Sequence, residues 1–168
     1  MVPISTFDLR VDVFKAVRAP LAPAFARSVL MAVGSVPEVA ARLAGRGRSF
    51  EVAVRLTGDR ELRRLNRSFL GEDHATDVLS FPSGDGGAYL GDLAVSWPYA
   101  VRQAAEFGHE PAAEVALLLV HGFLHLLGWD HPSVPEEEEM NRVTRAALAA
   151  AGVRIGPARL TAPGPQPR

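Results

Sequence analysis

The sequence predicts an α+β domain, and three observations carry that prediction. Two early segments alternate apolar and polar residues at the period of a strand: Phe7, Leu9, Val11 and Val13 around Asp8, Arg10 and Asp12, then Phe50, Val52, Val54 and Leu56 around Glu51, Ala53 and Arg55. The later part of the chain carries helix-period segments opened by Pro98, Pro111 and Pro135 and followed by glycines. Strands early and helices late, with a mixed order between them, is the element pattern of an α+β architecture.

Each element has a local reason. Leu21, Phe25, Val29, Leu30 and Val33 recur at helical spacing after Pro20, predicting a helix that ends near Gly34, and Pro37 to Ala44 adds a shorter one. Gly45 to Gly47 breaks the chain before the second strand. Asp59 is the expected N-cap of a helix with Leu62, Leu65 and Phe69 as its apolar stripe. Arg60, Arg63, Arg64 and Arg67 lie mostly off that stripe, as either a solvated face or a surface for phosphates. Gly71 to Thr76 reads as a polar loop, Asp77 to Pro82 as a short buried strand, Ser83 to Gly87 as a flexible connection and Tyr89 to Ser96 as a further strand. A helix runs from Pro98 to about Phe107. From Pro111, PAAEVALLLVHGFLHLLG is apolar nearly all round in its first half, predicting the most buried helix of the domain. Val134 to Gly152 is the last helix, with Glu136 to Glu139 at the positive end of its dipole. One domain is expected over residues 1–155, with the proline-rich residues 156–168 as a disordered tail.

Composition narrows the function classes. With no cysteine, disulfides and thiolate metal sites are excluded, in keeping with a reducing cytoplasm. MVPISTFDLRVDVF lacks a basic region followed by an apolar run, so no signal peptide is expected. The longest unbroken apolar stretch, Val115 to Val120, is far short of a membrane span. A net charge of −1 gives no global attraction to nucleic acid or membrane.

The chemistry is concentrated in His121 to His131, HGFLHLLGWDH, which holds three of the five histidines. His121 and His125 are four apart in an apolar run, so a helix places them one turn apart on one face. Gly128 suits the left-handed residue that ends a helix, letting the chain return His131 as a third ligand. Three imidazoles with a fourth position open make a catalytic-type metal site, with zinc first and nickel, copper or iron as alternatives. Asp130 is either an orienting partner for one imidazole or a turn residue. The pattern departs from the HExxH of metallopeptidases because Gly122 stands where their glutamate base would be.

HGFLHLLGWDH resembles the H-G-x-L-H-L-x-G-x-D-H signature of the YbeY endoribonucleases, the bacterial rRNA maturation factors. Leu65 to Pro82, LNRSFLGEDHATDVLSFP, is similar to that family's LNxxYRGxDxPTDVLSFP block, and LGDLAVS (Leu90 to Ser96) to its LGD strand. The resemblance implies a single α+β domain: a small, mostly parallel mixed sheet packed with five or six helices, the central one carrying the metal ligands. It implies His121, His125 and His131 as ligands to one Zn2+ or similar ion. It also implies a cytoplasmic, single-strand-specific endoribonuclease that matures the 3′ end of small-subunit rRNA and serves ribosome quality control. Its partners would be ribosomal RNA precursors and small-subunit proteins, with no membrane and no DNA.

Leu70 stands where that family usually has an arginine thought to help catalysis. Arg67 and Arg64 are the candidates to reach the same space and stabilise charge on the phosphate, and His74 to add a cation or general base. Ser80, Phe81 and Asp92 match the family blocks and are expected to shape the cleft. Two rivals follow: an RNA-binding ribosome assembly factor with a mainly structural metal, which Leu70 favours, and a metal-dependent hydrolase of another substrate, which Gly122 opposes.

Overall fold

The computed structural model describes residues 7–160. Its elements are β1 (Asp8–Lys15), α1 (Pro23–Gly34), α2 (Pro37–Ala44), β2 (Ser49–Thr57), α3 (Asp59–Leu70), β3 (Val78–Pro82), β4 (Tyr89–Ser96), α4 (Trp97–Phe107), α5 (Pro111–Leu126) and α6 (Val134–Ala150). The four strands form one mixed sheet in the order β1-β2-β4-β3. β1 and β4 flank β2 in parallel, and β3 pairs antiparallel with β4 at the edge. The parallel pairs are joined through helices, whereas a short link suffices for the antiparallel hairpin. That link, expected to be flexible, is organised by Asp85, whose carboxylate accepts from Ser83 Oγ at 3.2 Å and from the Gly87 N–H at 2.7 Å.

The sheet has two unlike faces. Leu9, Phe50, Val52, Val54, Leu56, Leu93, Val95 and Val78 turn to the main core, where α1 and α5 pack. On the other face α3 covers only β3 and β4, through Leu62, Leu65, Leu79, Phe81 and Ala94. Beyond α3 that face lies open, and Phe14 is 58% exposed. α5 is buried at every residue from Ala113 to Leu124, as its apolar run predicts. No single helix among the described residues is long and apolar enough to cross a membrane.

Two expectations about α3 are corrected. Gly58, not Asp59, is the N-cap of α3. Asp59 is the first helical residue, and its carboxylate accepts from Ser96 Oγ at 2.7 Å and pairs with Arg102 at 2.9 Å. Ser96 Oγ also accepts from the Tyr99 N–H at 3.3 Å, capping α4, so one hydroxyl ties two helix starts together. Phe69, read as part of the apolar stripe of α3, is 66% exposed. Phe69 is not part of the smaller cluster and meets it edge-on through Phe81, with ring centroids 5.4 Å apart.

Residues 156–160 are not a loose tail. Arg159 and Leu160 are buried, and Arg159 reaches Glu114 of α5 through Nη2–Oε1 at 2.7 Å and Nε–Oε1 at 3.0 Å. Glu114 also bonds His109 Nε2 at 2.6 Å, and His109 Nδ1 accepts from the Gly156 N–H at 2.8 Å. A carboxylate sunk in an apolar helix requires such partners, since an unpaired buried charge is strongly unfavourable. The domain therefore continues at least to Leu160; the rest of the expected tail, 161–168, lies outside the described residues.

Candidate metal centre

The end of α5 builds the site. His121 and His125 lie one turn apart, with Nε2 atoms separated by 3.1 Å. The helix then closes in a Schellman turn: the Gly128 N–H donates to the His125 carbonyl and the Trp129 N–H to the Leu124 carbonyl, both at 3.0 Å. Gly128 takes φ +95°, which its missing side chain permits. Trp129 is buried with the Arg42 guanidinium 3.4 Å above its ring, and Arg42 Nη1 also donates to the Leu127 carbonyl at 3.1 Å. This anchor fixes the direction of the returning chain. Asp130 accepts from the His131 N–H at 2.8 Å, which is a turn role; this contact gives it no hold on an imidazole.

His131 is thereby returned to the other two. Its ring centroid is 5.6 Å from that of His121 and 5.4 Å from that of His125, and one ligand nitrogen from each of the three lies within 4.8 Å of the others. Two nitrogens about 2.0–2.1 Å from a shared tetrahedral ion sit about 3.3 Å apart, close to the His121–His125 separation. His131 Nε2 is buried without a hydrogen-bond partner, the mark of a donor atom aimed at a ligand. The set thus fits a transition-metal ion. Burial, then the proximity of His125 and His131, holds the His121 imidazole well below the ordinary value of 6.5. Burial first, then the proximity of His131, lowers His125. Both rings are neutral at physiological pH, the state a metal requires.

Gly122 has a packing reason. A Cβ there would lie 2.8 Å from Leu93 Cδ2 and 3.0 Å from Ser80 Oγ, because α5 rests directly on β3 and β4 at this point. Ser80 Oγ donates to the Gly122 carbonyl at 3.2 Å across the contact. A glutamate at 122 would enter the sheet and not the metal centre. The peptidase base is excluded by geometry as well as by identity.

An open groove of about 740 Å³ leads to the histidines, lined by Phe69, Leu70, Ser80, Phe81, His125 and Asp130 among others. Leu70 therefore does occupy the wall of the metal groove. Arg64, Arg67 and His74 do not reach it. Arg64 and Arg67 line a groove on the arginine face of α3, and His74 lines another beside Arg60 and Arg63; neither contains any of the three histidines. Arg64 is held by Glu61 through two contacts of 2.9 Å, and His74 Nε2 lies 3.2 Å from Glu72. Arg67 lies one turn before Leu70 on α3, yet the two line different grooves. Asp92 lies on the outer sheet face, where it accepts from the Tyr89 hydroxyl at 2.8 Å, and lines the groove there instead of the metal groove. What sequence reasoning missed is Phe69; its place in the final turn of the helix, just before Leu70 and Gly71, is the only signal for it.

Comparison with known proteins follows the same lines. Residues 25–152 match the family model described as "Endoribonuclease YbeY". A Chloroflexus aggregans protein of that description is 48% identical over 112 residues, covering 60% of this chain and 72% of the relative. A Gloeobacter violaceus protein so described is 50% identical over 114 residues; there the chain spans less than two thirds of the relative's length, 58%. A solution structure of a Thermotoga maritima protein shares the fold, with a TM-score of 0.54 at 23% identity over 84% of this chain and 89% of that one.

Proposed function

The chain belongs to the YbeY endoribonuclease family, and on that premise we propose that it is a metal-dependent endoribonuclease that cuts single-stranded ribosomal RNA precursors at the 3′ end of the small-subunit rRNA. The observation that carries the reading is three imidazoles converging beside an open groove that His125 lines, with an orphaned His131 nitrogen among them.

His121, His125 and His131 would hold the ion, which we take to be zinc. Bound there, zinc supplies Lewis-acid polarisation of a phosphoryl oxygen or a water of lowered pKa. The protein contributes the rest. The Schellman turn and the Arg42–Trp129 stack hold His131 in place, and Gly122 lets α5 sit tightly enough on the sheet to fix His121 and His125. The groove admits a strand along its open side, and Leu70 and Phe81 form an apolar wall that offers no general base. Ribosomal RNA, small-subunit proteins and a cytoplasmic location complete the proposal.

Leu70 supports a second reading, an RNA-binding assembly factor with weak or no cleavage, because the described lining of the groove carries no arginine or lysine. One experiment separates the two: a labelled single-stranded rRNA 3′-end oligonucleotide incubated with wild type, His125→Ala and Leu70→Arg, alongside elemental analysis of the purified protein. Zinc-dependent cleavage by the wild type, lost in His125→Ala, is expected. Binding without cleavage, with cleavage gained in Leu70→Arg, would favour the assembly factor.

A further inference from the structure

Phe69 is an aromatic ring with no folding reason for its position. Burial of an aromatic side chain is a large stabilising term, yet this one is 66% exposed. Its single described ring contact is with Phe81, edge-on at 63° with centroids 5.4 Å apart. That contact braces the ring from one side and leaves it open on another. Phe69 and Phe81 both line the groove that holds His125, and both also line the groove over the open outer face of the sheet. They form the ridge between the two.

The chemistry of the metal groove says what such a ridge would meet. Its described lining holds no lysine or arginine, its one acid is Asp130, and Leu70 and Pro82 extend the apolar wall. A nucleic acid strand gains little there from charge pairing with side chains. Its bases are the part that matches apolar and aromatic walls, and every base has a face that stacks on a phenyl ring. A base inside a duplex is already stacked and cannot use the platform.

We propose that Phe69, braced by Phe81, is the platform on which the RNA stacks one unpaired base beside the phosphodiester presented to the three histidines. The proposal rests on the endoribonuclease reading above. Phe69 is a binding and specificity residue, and the metal chemistry does not depend on it. Stacking on one aromatic side chain is worth about 5- to 150-fold in affinity.

The test measures binding and cleavage of a single-stranded oligoribonucleotide by wild type, Phe69→Ala and Phe69→Trp, together with an oligonucleotide series carrying one abasic site at successive positions. Phe69→Ala is expected to weaken binding by roughly 5- to 150-fold with zinc content and thermal midpoint unchanged, and Phe69→Trp to restore it. One abasic position near the cut should weaken wild-type binding by a similar factor and have no effect on Phe69→Ala. Equal binding by wild type and Phe69→Ala, or an abasic series without a sensitive position, would overturn the proposal. So would a Phe69→Ala defect accompanied by no abasic-sensitive position in wild type, which would give the ring a contact with the strand other than base stacking. If wild type neither binds nor cuts the intact oligonucleotide, the endoribonuclease reading fails and this one with it; if wild type cuts and Phe69→Ala cuts equally well at sub-saturating oligonucleotide, this proposal fails alone.

Discussion

Arg159→Met would remove the guanidinium that reaches the Glu114 carboxylate, with both side chains at 0–1% exposure. Glu114 would keep His109 Nε2 at 2.6 Å and lose the contacts at 2.7 and 3.0 Å. Stranding one partner of a buried pair costs about 3–5 kcal/mol. At about 2–4 °C of melting temperature per kcal/mol for a chain of this size, the variant should melt roughly 6–20 °C below wild type. Because intact buried pairs contribute little net stability, Glu114→Met combined with Arg159→Met should recover most of the loss. Urea denaturation of wild type, both single variants and the double variant measures the coupling directly. A single-variant loss under about 1 kcal/mol, or a double variant as poor as the sum of the singles, would refute the argument that desolvated charge governs this cluster.

Gly122→Ala should cost about 1–3 kcal/mol through overpacking against Leu93 and Ser80, read as a lower urea midpoint at constant slope. Gly122→Glu should give no peptidase activity, checked on a peptide substrate panel. Ser96→Ala should cost about 0.5–2 kcal/mol in the same assay, since it removes the α4 cap and strips Asp59 of its hydroxyl partner. For chelator-treated protein, the depressed His121 pKa predicts stability that is present above 6.5 and falls with pH below it, as the unfolded chain takes up the proton first. Denaturation at stepped pH should show a shallower fall in His121→Asn, and an equal slope in both proteins would contradict the burial of His121.

The parts legible in the sequence are those whose cause is local. Alternation exposes β1 and β2, proline and glycine bracket α4 and α5, and the four-residue step between His121 and His125 survives folding because a helix converts it into proximity. Local cause also explains the errors. The arginines of α3 are visible as a cluster, but which groove each one lines depends on how that helix lies across β3 and β4, so Arg64 and Arg67 line a groove apart from that of Leu70. A stripe of Leu62, Leu65 and Phe69 reads as core throughout, but only Leu62 and Leu65 pack into the smaller cluster, while Phe69 meets Phe81 edge-on and stays exposed. Glu114 alone in an apolar run signals a hidden partner, but Arg159 sits in a proline-rich segment whose composition argues against structure.

Glu114 and Arg159 are 45 residues apart in a chain that is made from one end to the other. During synthesis His121, His125 and His131 are all in place before Arg159 exists. Until it arrives, the Glu114 carboxylate of α5 has only His109 of these two partners, His109 and Arg159. The residues that would grip the metal are therefore made before the arginine that completes the buried pair on the helix carrying two of them.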